Sequence, residues 1–511
     1  MTYPTIWSIA GSDCTAGAGI QADVKTMHNL GANPCTIVTA TTAQNSNGVI
    51  AINPVSEDIL TSQFNALIKS STPKAIKIGM LANIGQVKLV VTWLKVLKNG
   101  SEQTPFVVYD PVAIASNGDA LTDEDILPTV KAELFPLVDL ITPNAGEAQH
   151  ISKEYIIGWD SVHSIAKQFI NSGINNVIIK GGHVDVDLEH CVDHCLSADN
   201  LEQHSYWLAS PRVETQNSHG SGCTFASAMA TFIAHGYHIR DAFILSKAYI
   251  NQGLAVSKDQ PGCHGAIHQG NFPTTLSDFP QVLVNDSPLA QAIDWQQDSA
   301  NSYISGFNNC EHTPLGLYPV VDSTVWIERL LKSGVKTIQL RVKHLTDNEL
   351  KAEIKTAISI GKKYNAQVFI NDHWQLAIEL GAYGVHLGQE DIGHANLTAI
   401  KNANIRLGIS THGHYELLKV KQMAPSYLAV GAIFTTKTKD MTGQIQGLTA
   451  LQQINQLVGE IPLTAIGGIT LDNVESVLAT GVKSIAVVTA ITEADAPEHV
   501  VKSFNLALKA N

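Results

Sequence analysis

Short apolar runs that end in small or polar residues alternate with helical periodicity along the first half of the chain. "TIWSIAG", "CTIVTA", "AIKIGM", "FVVYDPV", "LVDLITPN" and "NNVIIKGGH" each read as a strand that is apolar on both faces. Such strands, separated by helices, predict a mostly parallel α/β sheet covered on both sides, from residue 1 to about 265. Ligands of these sheets gather where the strands end. Between 266 and 313 the periodicity fades and Asn, Ser, Asp, Gln and Pro become frequent, which predicts a linker with a short helix around "SPLAQAIDW". A second rhythm fills 314–511, with eight strand-like runs: "GLYPVV", "TIQLRV", "QVFIND", "GVHLGQ", "RLGIST", "YLAVGAIF", "PLTAIGG" and "SIAVVTA". Eight strands with helical patterns between them predict a compact (β/α)₈ barrel, whose site forms at the carboxyl ends of the strands.

Composition narrows the function. Apolar residues make up 44% and charged residues 15%, the profile of a compact enzyme. A net charge of −13 argues against nucleic acid as a partner, because phosphate-backbone binders need a basic surface. Small anions remain accessible to glycine loops and local cations. With no run of 18 apolar residues, and with "MTYPTIWSIAG" entering a strand-like segment without a basic n-region and an apolar h-region, neither a membrane span nor export is expected, and the cytoplasm is the expected location. Seven scattered cysteines fit a reducing compartment, and "EHCVDHC" is too crowded, without a distant second half, to read as a metal site.

Chemistry concentrates at glycine-rich joints. In "QNSHGSGCTFASAMATFIAHG" a polar loop runs directly into a small, apolar helix, so the N–H groups from Gly220, Ser221 and Gly222 to Cys223 are expected to form an anion cradle. The same field should favour the Cys223 thiolate, as a general base or a transition-state hydrogen-bonding group during phosphoryl transfer. "AGSDCTAGAGIQAD" is a second glycine turn, and "IKGGH" places Lys180 where it can neutralise a transferred phosphate. "TPNAGEA" sets Asn144 and Glu147 three apart on a first helical turn, where they either cap the helix or orient Mg²⁺.

In the second half, "QLRVK" alternates Gln339, Arg341 and Lys343, so all three are expected on one face of a strand. That triplet must close a polar network or bind an anion, and two cations with an amide suit a diphosphate. Asn371, Asp372 and Asp391 fall at neighbouring strand ends, where the two aspartates suggest Mg²⁺. "TTKTK" adds Thr436, Thr438 and Lys439, and "AIGGI" offers a phosphate cradle after the seventh strand.

Taken together and in order, "AGSD", "GAGIQAD", "TAQN", "YDPV", "TPN", "KGGH" and "GSGCT" resemble the hydroxymethylpyrimidine/phosphomethylpyrimidine kinases over about residues 4 to 265. The resemblance implies a ribokinase-like three-layer α/β domain that uses ATP for two successive phosphorylations. It also implies that Asp23 and Gln44 meet the aminopyrimidine, with Met80 against its ring, and that Cys223 is catalytic. "QLRVK", "IND", "GVHLGQED", "GIST", "TTKTK", "AIGGI" and "SIAVVTAI" resemble thiamine-phosphate synthase over about 315 to 508, and imply a TIM barrel. Such a barrel joins a pyrimidine diphosphate to a thiazole phosphate and releases pyrophosphate through a pyrimidine carbocation. Its implied roles are metal binding by Asp372 and Asp391, stabilisation of the leaving group by Arg341 and Lys343, a pyrimidine or leaving-group contact at Ser410, and capture of the thiazole phosphate by Gly468, Val488 and Thr489. His373 stands where many members carry a second aspartate, which shifts the expected metal shell toward Asp391. The expected partners are these small molecules and further copies of the chain in a homo-oligomer. A pyridoxal or sugar kinase fused to a binding-only barrel stays open as the alternative.

Overall fold

The computed structural model describes every residue except 1–2, 46–47, 101–103, 113–124, 183–186, 188, 199–203, 259–264, 298–302, 437–444 and 511. The chain forms two compact units, Met1–Leu283 and Val284–Asn511. Among the described residues no helix is long and apolar enough to cross a membrane.

The first unit is built on ten strands: β1 (Thr5–Asp13), β2 (Asn33–Asn45), β3 (Gly48–Pro54), β4 (Ala75–Ile78), β5 (Phe106–Tyr109), β6 (Leu140–Ile141), β7 (Asn176–Ile179), β8 (His190–Ser197), β9 (Ser205–Pro211) and β10 (Gln281–Val282). They lie in the order β10-β9-β8-β7-β6-β5-β4-β1-β2-β3. The six apolar runs of the sequence are the parallel centre, β1, β2 and β4 to β7. The flanking strands β3, β8, β9 and β10 are antiparallel and escaped that reading. In β3 this follows from exposure, for an edge strand needs no two-sided apolar pattern. The helix Ser221–Ala234 is buried continuously from Thr224 to Phe232, which accounts for its small side chains: it must pass close to strands and to a neighbouring helix at once.

In the second unit β11 (Leu317–Val321), β12 (Thr337–Leu340), β13 (Gln367–Asn371), β14 (Gly384–Leu387), β15 (Arg406–Thr411), β16 (Tyr427–Val430), β17 (Leu463–Ile466) and β18 (Ile485–Val487) close into a barrel. All are parallel, and β11 pairs with β18 to seal it. These are the eight runs read from the sequence.

The stretch 266–313 is not bare chain. Ile267 N donates to His219 O at 3.0 Å, and Gln281–Val282 joins the first sheet as β10. The short helix Pro288–Ala292 is capped by Ser287, whose hydroxyl accepts from Ala290 N at 3.2 Å. Further on, Gly306 N and Phe307 N donate to Met423 O and Ala424 O, and Cys310 enters a barrel core with Leu315, Tyr318, Phe369 and Tyr427. Isolated apolar residues in a polar composition hold this stretch down: Ile267, Val282, Trp295, Phe307 and Cys310 are all buried.

Candidate active sites

In the first unit the two glycine joints pack against each other. Gly220 has φ +80°, and a Cβ there would lie 1.9 Å from Gly17 O, so only glycine permits the approach. Buried Asp13 organises the facing loop by accepting from the N–H groups of Thr15, Gly17 and Ala18 and from the Thr15 hydroxyl. His219 Nε2 lies 3.2 Å from Asp13 Oδ2. Although burial opposes its charge, the His219 contact and the backbone donors hold Asp13 well below the usual carboxylate range.

Within the cradle, Ser221 N donates to Ser218 O and Thr224 N to Gly220 O. The N–H groups of Gly222 and Cys223 make no backbone hydrogen bond among the described residues, which leaves these two of the expected cradle without a backbone acceptor. Cys223, third residue of the helix, is partly exposed. The expectation of a favoured thiolate fails here. Burial pushes the thiol up to about 11, outweighing the Lys77 charge and the Gly19 N–H that donates to its sulfur. Cys223 is a thiol at neutral pH.

Around it lies a ring of charge that the sequence only partly disclosed. Lys180 Nζ is 3.0 Å from Asp110 Oδ1, which also accepts from Thr142 Oγ1 at 3.2 Å. Burial opposes the Lys180 charge, but Asp110 and Glu147 hold the ammonium above its ordinary value. Asn144 and Glu147 form a reciprocal capping box: Asn144 N donates to Glu147 Oε2 at 2.7 Å, and Glu147 N to Asn144 Oδ1 at 2.9 Å. The cap occupies one Glu147 oxygen. Burial raises the Glu147 carboxyl to about 7, against the pull of Lys180.

Asp23 sits within a polar network of the protein. It is fully buried, with Oδ2 accepting from Ser8 Oγ (2.6 Å) and Lys77 Nζ (2.9 Å) and Oδ1 from Ser227 Oγ (2.7 Å). Both oxygens are therefore engaged in a closed protein network. Met80 is buried with Ala40 and Ala82 and reaches toward Gly11, where a Cβ would meet its sulfur at 3.2 Å. Gln44 is half-buried, and its carbonyl accepts from Cys14 Sγ at 3.2 Å. Asp13, Lys77 and Asp110 were not picked out from the sequence, although "GSD", "KIGM" and "YDPV" mark each as a polar residue at or near a strand end.

In the second unit the strand ends bring the predicted rim together. Arg341 follows β12, Asn371 closes β13, Asp372 follows it, and Ser410 lies on β15. The strand stops at Leu340, so the alternation expected for "QLRVK" does not extend to Lys343, which is exposed, while Arg341 is half-buried. Gln339 is buried and donates from Nε2 to Tyr318 OH at 3.3 Å, which ties it into a polar network. Asp372 has φ +62°, a left-handed backbone that aspartate tolerates, and its N–H donates to His386 O. Its carboxyl is raised by burial first, then by the charge of Asp391 and a hydrogen bond to it, against Arg341 and His373. Two carboxyls in contact at a strand-end face are a donor set that suits Mg²⁺. Among the described residues no group of three or more His, Cys, Asp or Glu could hold a metal.

Asp391 Oδ2 also accepts from Gly388 N at 3.2 Å, and Gln389 Nε2 donates to Ser410 O at 2.6 Å. After β17, Gly467 and Gly468 have φ +103° and +66°, and a Cβ on Gly468 would lie 2.6 Å from Thr435 O. Val488 and Thr489 open a short helix directly after β18, and Thr436 follows β16. Thr438 and Lys439 lie outside the described residues. Burial, aided by Arg341, lowers the imidazole of His386 to about 4, so it is neutral.

The phosphomethylpyrimidine kinase family matches residues 13–268, and the thiamine monophosphate synthase family matches 317–491. A thiamine-phosphate synthase of Yersinia pestis (strain Pestoides F) is 54% identical over 187 residues, which are 37% of this chain and 86% of that protein. One from Pectobacterium atrosepticum is 58% identical over 181 residues, 35% of this chain and 85% of that protein. Among solved structures, a phosphomethylpyrimidine kinase from Clostridium difficile 630 is 32% identical, covers 49% of this chain and 99% of its own, and aligns with a TM-score of 0.42.

Proposed function

The chain belongs to the phosphomethylpyrimidine kinases through its first half and to the thiamine-phosphate synthases through its second, and on that premise we propose how its residues divide the work. It is a bifunctional enzyme of thiamine biosynthesis: it phosphorylates hydroxymethylpyrimidine with ATP to the phosphate and the diphosphate, then couples the diphosphate to thiazole phosphate. We assign the kinase to 1–265 and the synthase to 314–511, with 266–313 between them, an assignment supported by the extents of the two family matches.

For the kinase, the observation that carries the assignment is the narrow wedge at Gly222, where a Cβ would lie 3.2 Å from Lys180 Nζ and 3.5 Å from Asp110 Oδ2. A transferring phosphoryl group that meets the N–H groups of Gly222 and Cys223 also meets a lysine whose charge is secured by Asp110. Cys223 then acts as a hydrogen-bonding thiol in the transition state, not as a thiolate base. Gln44 and Met80 would face the pyrimidine, and Asn144 and Glu147 would help orient Mg²⁺, the Glu147 oxygen outside the cap being the one left to do so. For the synthase, Asp372 and Asp391 would hold Mg²⁺, which when bound neutralises charge on the leaving diphosphate. Arg341 and Lys343 add positive charge, with Thr436, Thr438 and Lys439 beside them. Asn371 and Ser410 orient the pyrimidine end, while Gly468, Val488 and Thr489 receive the thiazole phosphate. A homo-oligomer and a cytoplasmic location are part of the same reading, the latter in keeping with seven scattered cysteines along the sequence.

Substrate profiling tests this reading. With ATP, hydroxymethylpyrimidine should outcompete pyridoxal and sugars as acceptor, and pyrimidine diphosphate with thiazole phosphate should release pyrophosphate without ATP. Preference for pyridoxal, or a barrel that binds both substrates without coupling them, would support the alternative.

A further inference from the structure

Inside the barrel, five side chains from five strands form one continuous row. Gln339 Nε2 reaches Tyr318 OH (3.3 Å), Tyr318 OH reaches Tyr427 OH (2.7 Å), Tyr427 OH reaches His386 Nδ1 (2.7 Å), and His386 Nε2 reaches Ser410 Oγ (2.8 Å). Tyr318, Gln339, His386 and Tyr427 are buried, and Ser410 is half-buried at the rim. Tyr318 and Tyr427 also pack with Phe369 in the barrel core, so the row begins among apolar side chains and ends at the site.

Each member has limited donor and acceptor capacity, and this gives the row a direction. The amide nitrogen of Gln339 can only donate, so Tyr318 oxygen accepts from it. Among the described residues, the acceptor left for the single proton of Tyr318 is Tyr427 oxygen. The Tyr427 proton is directed in turn to His386 Nδ1. A neutral imidazole that accepts on Nδ1 carries its proton on Nε2 and donates it to Ser410 Oγ. The Ser410 proton is left to point at the mouth. In the reverse direction Tyr318 would hold a buried hydroxyl proton with no acceptor among the described residues, at the cost of an unmade hydrogen bond in a dry interior.

We propose that this row is polarised from Gln339 toward the mouth, holding His386 as the tautomer protonated on Nε2 and presenting Ser410 as a hydrogen-bond donor to the substrate. Tyr318, Tyr427 and His386 are positioning residues for the coupling reaction, a role that rests on the synthase reading above. Ser410 then meets an acceptor atom of the pyrimidine diphosphate, a ring nitrogen or a phosphate oxygen, and not its amino group.

The test uses the full-length chain with nitrogen-15-labelled histidine rings and no substrate, with the His386 signals identified by their loss in His386→Asn. The expected result is a bare Nδ1 and a protonated Nε2 in the wild type, becoming a mixture of tautomers in Tyr427→Phe. A proton on Nδ1 in the wild type overturns the proposal. In coupling assays Tyr427→Phe should lower kcat/KM about tenfold, the scale of one hydrogen bond. Added to Ser410→Ala it should cost nothing further, because its effect passes through that hydroxyl. Additive losses overturn the relay. If Tyr427→Phe does not fold, Tyr318→Phe cuts the row one link earlier and is read the same way. Failure of the wild type to couple its substrates would count against the synthase reading, while the tautomer decides the polarity independently.

Discussion

Glu147 shares one pocket of charge with Lys180 and Asp110, and its carboxyl is pulled in opposite directions: burial and Asp110 raise it, Lys180 lowers it, and the balance settles at about 7. The carboxyl is protonated below that pH and ionised above it. If the ionised form orients the metal nucleotide, kcat/KM for ATP should rise as pH passes upward through about 7. Glu147→Gln should flatten that limb and lower the plateau. An unchanged profile in the variant would leave Glu147 as a helix cap alone.

Cys223 offers a second pH test. With its thiol pushed up to about 11, the thiolate fraction at pH 8 is on the order of 10⁻³ and grows tenfold per pH unit toward that value. Alkylation of Cys223 in a Cys14→Ser background should follow that slope. Phosphorylation at neutral pH should not follow it, because the thiol is the working form. Cys223→Ala should slow the kinase roughly 10²-fold and spare the synthase. Rapid alkylation at neutral pH would return the thiolate to the mechanism.

In the barrel, burial and then the charge of Asp391 raise the Asp372 carboxyl, so in the metal-free enzyme Asp372 retains its proton above the ordinary carboxylate range. Binding Mg²⁺ should expel it. Calorimetry in buffers of different ionisation heat should show proton release, with Mg²⁺ affinity falling as pH falls. Asp372→Asn and Asp391→Asn should weaken binding and slow pyrophosphate release while the barrel stays folded, since rim residues add little core. Full coupling at low Mg²⁺ in the double variant would refute the metal assignment.

The pair Asp23 and Lys77 makes a stability prediction, because both side chains are completely buried. Lys77→Met strands a carboxylate and should destabilise the kinase unit by about 3 to 5 kcal/mol. Replacing both, as Asp23→Leu with Lys77→Met, should recover part of that loss. Urea unfolding of the full chain reads both values. A double variant less stable than Lys77→Met would show that the charges themselves hold the unit together.

The same pair marks where the sequence stopped being legible. All eight barrel strands and the six parallel strands of the first sheet were visible, because burial on both faces writes an uninterrupted apolar run. The antiparallel β3 and β8 were not, since β3 lies largely exposed, whereas β8 is buried but carries His190, Asp193 and His194 in place of an apolar run. Site residues at strand ends, such as Lys180, Asp372 and Ser410, could be placed because a strand end is a position in sequence. What a side chain touches is not. Asp23 and Gln339 occupy polar motif positions, yet they satisfy buried neighbours, and only the packing of Ser8, Lys77 and Ser227, or of Tyr318, reveals it. The Cys223 field was read from its helix start, but desolvation, which depends on the surrounding fold, outweighs it.

The most direct test of the whole account is complementation between two disabled full-length chains. Lys180→Met should remove the kinase, and Asp372→Asn with Asp391→Asn should remove the synthase. Given ATP, Mg²⁺, hydroxymethylpyrimidine and thiazole phosphate, the wild type should accumulate thiamine phosphate and each variant alone should not. Mixed together, the variants should restore its formation, because the diphosphate made by one is the substrate of the other. Contradiction would come from a wild type that makes no thiamine phosphate from these four components, or from a synthase-disabled chain that accumulates no pyrimidine diphosphate.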